Sequence, residues 1–185
     1  MKIVMATSSK NKFKEAKEIA ERFGIELVRG HVDINEIRGT LSEIVEDKAI
    51  RSVELLETPV ICDDSGFFID RFDGFPGSFS KFILEKIGNK GILKLMHSIK
   101  ERGAEFRCLA CFFDGHELII SEGVSKGNIV EKPRGTNGFG FDPIFVPEGH
   151  DKTFAEDIEH KMKVSHRRNA FHDLFKEISK KFSDK

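Results

Sequence analysis

The residues that ask most of a fold are Asp63-Asp64-Ser65-Gly66. Adjacent carboxylates repel each other and are costly to hold unless a cation or a proton sits between them. Such a pair suits Mg2+ and the activation of water, although Asp-Asp-Ser-Gly also serves as a plain turn. A second cluster is Thr7-Ser8-Ser9-Lys10-Asn11-Lys12, where a strand end passes into a helix. Backbone N–H groups at the helix start, two serines and Lys12 one turn in would suit phosphate oxygens. An ordinary N-cap by Ser9 is the simpler use. In the third cluster, Gly135–Asp142, Phe139 and Phe141 flank Gly140. These rings could stack on a base whose edge a nearby acid reads, or anchor the loop in a core. The fourth is Ser165-His166-Arg167-Arg168, at the start of the last predicted helix. Three cations there oppose the helix dipole and lower stability unless an anion or an electron-rich group offsets them.

Missing motifs narrow the chemistry. There is no Gly-x4-Gly-Lys-Ser/Thr phosphate loop and no His-Glu-x-x-His. Gly135-Thr136-Asn137-Gly138-Phe139-Gly140 has the wrong spacing for a dinucleotide fingerprint. Cys108-Leu109-Ala110-Cys111 is formally a C-x-x-C but lies in a predicted strand. Residues three apart on a strand face opposite ways, so this pair reads as core rather than as a chelate or disulfide.

The elements that must position these clusters read as mixed α/β. Lys2–Ala6 is a first strand. Asn11–Phe23 puts Phe13, Ala16, Ile19, Ala20 and Phe23 on one helical face, ended by Gly24. Ile25–Arg29 is a second strand. Thr40-x-x-Glu43 is a capping box, and the helix behind it turns Leu41, Ile44, Val45, Ala49, Val53 and Leu56 inward. Pro59–Asp63 reads as a strand that resumes at Phe67–Asp70 after a turn, and Gly74–Gly77 as a loop. Phe79–Ile87 and Gly91–Lys100 read as helices parted by Gly88. Ala104–Phe113 is a long strand with a hairpin signal at Asp114-Gly115. Leu118–Ser125 and Asn128–Glu131 follow as strands, then a Gly-rich loop over Lys132–Phe141 and an extended Asp142–Val146. Ser165 is placed to cap a last helix whose inner face is Phe171, Leu174, Phe175, Ile178 and Phe182.

Composition sets the outer limits. The chain has 185 residues, 39% hydrophobic, with 30 Lys and Arg against 31 Asp and Glu. A chain of this length buries roughly 70% of its unfolded surface, so one domain, residues 1–185, is expected. The near-zero net charge of -1 argues against disorder. No apolar run approaches the ~18 residues of a membrane span, and Met1–Ala6 is too short for a signal peptide. Three cysteines make no disulfide framework and fit a reducing cytoplasm. Residues 2–29 carry a net +3 and residues 160–185 a net +5, around a middle of -9. Two basic ends brought together could receive a polyanion, and the acidic middle could hold a metal.

Taken together, the clusters resemble the inosine triphosphate pyrophosphatase family, also called the noncanonical purine NTP pyrophosphatases. That family opens with a strand and T-G-N-x-x-K, matched by Thr7-Ser8-Ser9-Lys10-Asn11-Lys12. Its acid before a Gly matches Glu36-Ile37-Arg38-Gly39, its substrate Lys matches Lys48, and its acidic pair matches Asp63-Asp64-Ser65-Gly66. G-x-P-G matches Gly74–Gly77, followed by Lys81. F-G-[FYW]-D-P matches Phe139-Gly140-Phe141-Asp142-Pro143, and T-[FY]-A-E matches Thr153–Glu156. S-H-R matches Ser165-His166-Arg167, with Lys161 four residues ahead of Ser165. The matches run in order from Thr7 to Arg167. One departure is Ser8 and Ser9 in place of Gly and Asn; Ser9 keeps hydrogen-bonding capacity, while Ser8 lacks the backbone freedom of Gly.

The resemblance implies an elongated, two-lobed α/β protein, with a long central mixed sheet flanked by helices and the active cleft between the lobes. It also implies a homodimer, while composition and charge make cytoplasmic residence, with neither nucleic acid nor membrane as partner, the expectation. It implies hydrolysis of ITP, dITP and XTP to the nucleoside monophosphate and pyrophosphate, which cleanses the nucleotide pool. By the same resemblance the triphosphate lies on Thr7, Ser8, Ser9, Lys10, Asn11 and Lys12, near Lys48, with Ser65 and Lys81 also on substrate. Glu36 and Asp64 hold Mg2+, with Mn2+ the alternative, and Asp64, helped by Asp63, activates the water. Phe139, Gly140 and Phe141 wall the purine, while Asp142, Lys161, His166 and Arg167 face its edge. Two other readings are a related pyrophosphatase of modified pyrimidine or methylated nucleotides, and a nucleic-acid-binding module. The S-H-R and F-G-F-D matches weigh against the first. The acidic pair and the net charge weigh against the second.

Overall fold

Short apolar runs alternating with 3.6-residue periodicity dictate a sheet covered by helices, and the computed structural model, which describes residues 1–183, has that form. β1 (Lys2–Ala6) pairs in parallel with β2 (Glu26–Gly30) and with β3 (Val60–Ile69). β4 (Pro76–Gly77) lies antiparallel on β3 at Phe67 and Phe68. β5 (Gly103–Phe113), β6 (Leu118–Ile129) and β7 (Phe145–Pro147) complete a seven-stranded mixed sheet of order β2-β1-β3-β5-β6-β7 among the described residues. The helices are α1 (Lys10–Ala20), α2 (Leu41–Leu56), α3 (Ser80–Leu95), α4 (Ile158–Val164) and α5 (His166–Ser183). None of the described helices is long and apolar enough to cross a membrane.

The chain divides into two compact units, and β3, β5 and β6 each contribute residues to both. The first comprises Met1–Asp64, Cys108–Gly123 and the described chain from His166 onward. Its sheet is covered on one face by α1 and α5. Ala16, Ile19, Ala20, Phe171, Leu174, Phe175 and Ile178 pack there on Ile3, Met5, Ile61, Cys108, Ala110 and Phe112. A separate cluster joins Val45 and Ala49 of α2 to Ala6, Cys62 and Cys111. Strand alternation thus sends Cys108 and Cys111 into different cores, and all three cysteines are free and buried. The second unit, Ser65–Arg107 and Val124–Ser165, has an aromatic core of Phe67, Phe106, Phe141, Phe145 and Phe154 with Ile92, Met96 and Ile144.

Most predicted elements are present, and the departures have local causes. β3 does not turn at Asp64-Ser65-Gly66 but runs straight through, buried along most of its length. Gly66 is a strand glycine because a Cβ there would lie 2.5 Å from the Gly77 carbonyl oxygen of β4. β6 is likewise unbroken, since Gly127 and Asn128 pair with Pro147 and Val146 of β7. The expected loop Gly74–Gly77 ends in β4, and the expected extended Asp142–Val146 begins as a single 3-10 turn, Asp142–Ile144. The two helices expected around Gly88 form α3, interrupted there at φ 62°, ψ -172°. α4, capped by Asp157, was not expected. Ser165 closes α4, donating its N–H to the Lys161 carbonyl, before α5 begins. Phe182, expected on the inner face of α5, packs its ring edge-on against the core residue Phe112 at 6.2 Å but remains partly exposed at the end of the helix.

Candidate active site

The expected phosphate loop is built by its own side chains. Ser9 caps α1, its Oγ accepting from Lys12 N at 3.3 Å, and Thr7 Oγ1 accepts from Ser9 N at 3.2 Å. No acid stands in the first turn of α1, so its N–H groups present an uncompensated positive pole. Ser8 needs no glycine-like conformation: among the described residues only Glu57, Asp73 and Ser98 combine a side chain beyond Cα with positive φ. Ser8, Lys10 and Asn11 are exposed around this turn, and Thr7 is buried beneath it.

Lys12 reaches back from α1 to both acids of β3. Its Nζ lies 3.2 Å from Asp63 Oδ2 and 3.9 Å from Asp64 Oδ1. Lys48 of α2 donates to Glu36 Oε1 at 3.0 Å and to the Asp63 carbonyl at 3.4 Å. Arg167 of α5 places Nε 3.2 Å from Asp63 Oδ2 and Nη1 2.7 Å from Glu15 Oε2. Cys108 Sγ approaches the same Asp63 oxygen at 3.8 Å. The first unit therefore gathers Lys12, Glu36, Lys48, Asp63, Asp64 and Arg167.

The electrostatics separate the two acids. Burial alone would raise the pKa of Asp63, but Lys12, Arg167 and Lys48 outweigh it and hold it down to about 2. Asp64 is raised above the ordinary carboxylate value, chiefly by burial, with Glu36 and Asp63 adding to it against Lys12 and Lys48. Burial likewise works to lower the Lys48 pKa, and Asp63 and Glu36 reverse it. Asp63 is thus a fixed anion, and Asp64 is a carboxylate with enhanced affinity for a proton or cation.

The second unit contains another built constellation. Lys161 of α4 donates to Asp142 Oδ2 at 2.8 Å, with both side chains buried, and the same oxygen accepts from Phe139 N at 2.8 Å. Lys161 Nζ stands 4.4 Å from the centroid of Phe139, a cation–π distance. Phe139 and Gly140 are half-buried. Phe141, expected to wall a purine, instead stacks on Phe67 at 4.9 Å inside the core. It anchors the loop because its ring completes the aromatic packing of that unit.

Not every expected site residue joins these groups. Lys81 is exposed in the first turn of α3, and no ion pair to either constellation is present among the described contacts. Ser65 is half-buried in β3. His166 is buried at the start of α5. Arg167, expected at the edge of a base, devotes two nitrogens to the carboxylates of Asp63 and Glu15.

A strand ending in a capped polar turn, a split acidic pair and an aromatic loop clamped by Lys161 occur together along one chain. A profile of the Ham1 family matches residues 3–177. The chain belongs to the Ham1 family. A Methanopyrus kandleri protein, curated as a dITP/XTP pyrophosphatase, is 44% identical over 173 residues, covering 92% of each chain. A Saccharolobus solfataricus protein of the same curated name is 43% identical, covering all of this chain and 97% of its own. Among solved structures, a HAM1 protein from Coxiella burnetii superposes with TM-score 0.87 at 29% identity, over 97% of this chain and 99% of that one. The Ham1 protein of Staphylococcus aureus gives 0.85 at 27%, over 98% and 100%.

Two residues of this Ham1 chain escaped the motif reading. Glu15 lies one helical turn beyond Lys12, a spacing that puts both on one face of α1, but an acid on a basic helix reads as a solvated partner. Asn89 follows the Gly88 break and donates from Nδ2 to the Gly140 carbonyl at 3.0 Å, pinning the aromatic loop. Its partner is 51 residues away, beyond any local pattern.

Proposed function

We propose that the chain hydrolyses noncanonical purine nucleoside triphosphates, ITP, dITP and XTP, to the monophosphate and pyrophosphate. The observation that carries the reading is the split pair, Asp63 held ionised and Asp64 raised, between Lys12 and Lys48. Two carboxylates whose pKa values are pushed apart can divide orientation and proton acceptance between them. Asp64 takes the proton of the attacking water. Asp63 stays charged and keeps Lys12 and Arg167 in place. Lys12, the first turn of α1 and Lys48 offset negative charge on the phosphates. Phe139 supplies a stacking face for the purine, and Lys161, fixed by Asp142, a donor suited to a 6-oxo group.

Glu36 and Asp64 are the residues that would hold Mg2+. The donor set fits: these are hard oxygen ligands, and the charge of Glu36 acts on Asp64 across the site. Mg2+ favours one or two carboxylates together with phosphate oxygens and water. When bound, the ion would polarise the phosphates and lower the pKa of water. Cytoplasmic residence agrees with three free thiols. A homodimer completes the proposal, supported only by the family likeness.

The test is incubation of the purified chain with ITP and Mg2+. IMP and pyrophosphate should appear without IDP. Release of IDP and orthophosphate would place cleavage at the terminal phosphate and overturn the reading.

A further inference from the structure

We propose that Glu15 is a positioning residue for this reaction, acting through Arg167 to hold the carboxylate of Asp63 in one orientation. The inference rests on the hydrolytic reading of the same site and adds a member to it. Glu15 and Lys12 share a face of α1. Lys12 meets Asp63 directly, whereas Glu15 meets it through the guanidinium of Arg167. The Arg167 side chain is 2% exposed. A cation so buried is tolerated only with close compensating charge, and Glu15 and Asp63 supply it. Because the fork is planar and rigid, fixing Nη1 on Glu15 sets the direction of Nε toward Asp63.

The Asp63 carboxylate needs such direction because it is held from one side. Lys12, Arg167 and Cys108 all approach Oδ2, while Oδ1 is buried with no hydrogen-bond partner among the described residues. Contacts at one oxygen restrain rotation of the group only if the donors themselves are immobile. Lys12 is a flexible stem, so the stiff member is Arg167. Its seat is also prepared by Gly123 of β6, where a Cβ would lie 2.0 Å from the His166 carbonyl and 2.4 Å from Ala170 N. The first turn of α5 thereby lies directly against the sheet. The other charged groups around the pair, Lys48, Glu36 and Asp64, come from α2, the segment before it, and β3.

The experiment compares wild type, Glu15→Gln, Arg167→Lys and the double variant on ITP. Glu15→Gln should lower kcat about tenfold or more, as expected when Asp63 turns and Lys12, which it holds beside Asp64, shifts by less than an ångström, with KM within about twofold. The double variant should be no slower than Arg167→Lys alone, because both act through one contact. An unchanged kcat, a rise in KM alone, or multiplicative losses would overturn the proposal. If Glu15→Gln fails to fold by circular dichroism, Glu15→Asp, which keeps the charge, takes its place with the same criteria. A readout independent of turnover is the Arg167 Nε–H resonance, whose protection from solvent exchange should be lost in Glu15→Gln. Wild type inactive on ITP would sink the functional reading, and the resonance would still decide the fate of Glu15.

Discussion

Asp63 and Asp64 are consecutive residues of β3 whose ionisation is driven in opposite directions. Both are buried, yet Asp63 has Lys12 and Arg167 against its Oδ2 while Asp64 has Lys12 at the longer distance of 3.9 Å. Strand alternation is the cause: neighbouring side chains leave β3 on opposite faces. Asp63 therefore meets the cations of α1 and α5 at close range, whereas at Asp64 burial, joined by the negative charge of Glu36 and Asp63, outweighs Lys12 and Lys48.

The division of labour predicts that Asp64→Asn will abolish most turnover. Asn keeps size and hydrogen bonding but neither accepts the proton nor binds a cation. Loss of kcat by about 10²-fold or more is expected, the lower end for removing a general base, with Tm within a few degrees of wild type. A folded variant of near-normal activity would remove Asp64 from the chemistry.

Asp63 should make stability depend on acid. Its folded pKa of about 2 lies below the model-peptide value of 3.8, so its ionised form is favoured by folding. Its contribution, on the order of 2 kcal/mol, is complete above the unfolded pKa and is lost as pH falls from about 4 toward about 2. Thermal melts through that window should show Tm falling with acid in wild type. They should fall less steeply in Asp63→Asn; parallel curves would show that Asp63 is not held ionised.

Base selection should follow Lys161 rather than Arg167. Lys161→Met removes the donor above Phe139, and the ratio of kcat/KM for ITP over ATP should shrink by about tenfold. Arg167→Lys keeps the charge but loses the fork, and both substrates should slow by the same factor. A ratio that moved with Arg167 and not with Lys161 would return Arg167 to the edge of the base.

Gly123→Ala should damage both stability and turnover. The new methyl would meet backbone atoms of α5 at 2.0 and 2.4 Å, which no side-chain rotation relieves. Overpacking of this kind costs about 1–3 kcal/mol, measurable by urea titration. Because the displaced turn carries Arg167, kcat should fall with it. A variant as stable and as active as wild type would show that α5 is free to move at this contact.

Much of this protein follows from order along the chain. The capping box at Thr40, the Ser9 cap, the apolar faces of α1 and α5, and the opposed cysteines depend on residues within a turn or a few strand positions of each other. Local periodicity and hydrogen bonding are enough to read them. The ordered motifs from Thr7 to Arg167 likewise name the family without coordinates. What the tertiary structure alone decided concerns partners distant in sequence. Asp63-Asp64-Ser65-Gly66 has the composition of a turn, yet it is strand: β4 pairs alongside it at Phe67 and Phe68, leaving no room for a Cβ at Gly66, and cations from α1, α2 and α5 face Asp63. Phe139 and Phe141 look equivalent in sequence, but only Phe141 finds Phe67 to stack on. Arg167 sits in its motif beside His166, yet its charge is spent on Glu15, 152 residues away. Burial and Coulomb forces act through space, so the pKa values and the roles they set emerge only once the chain has brought those charges together.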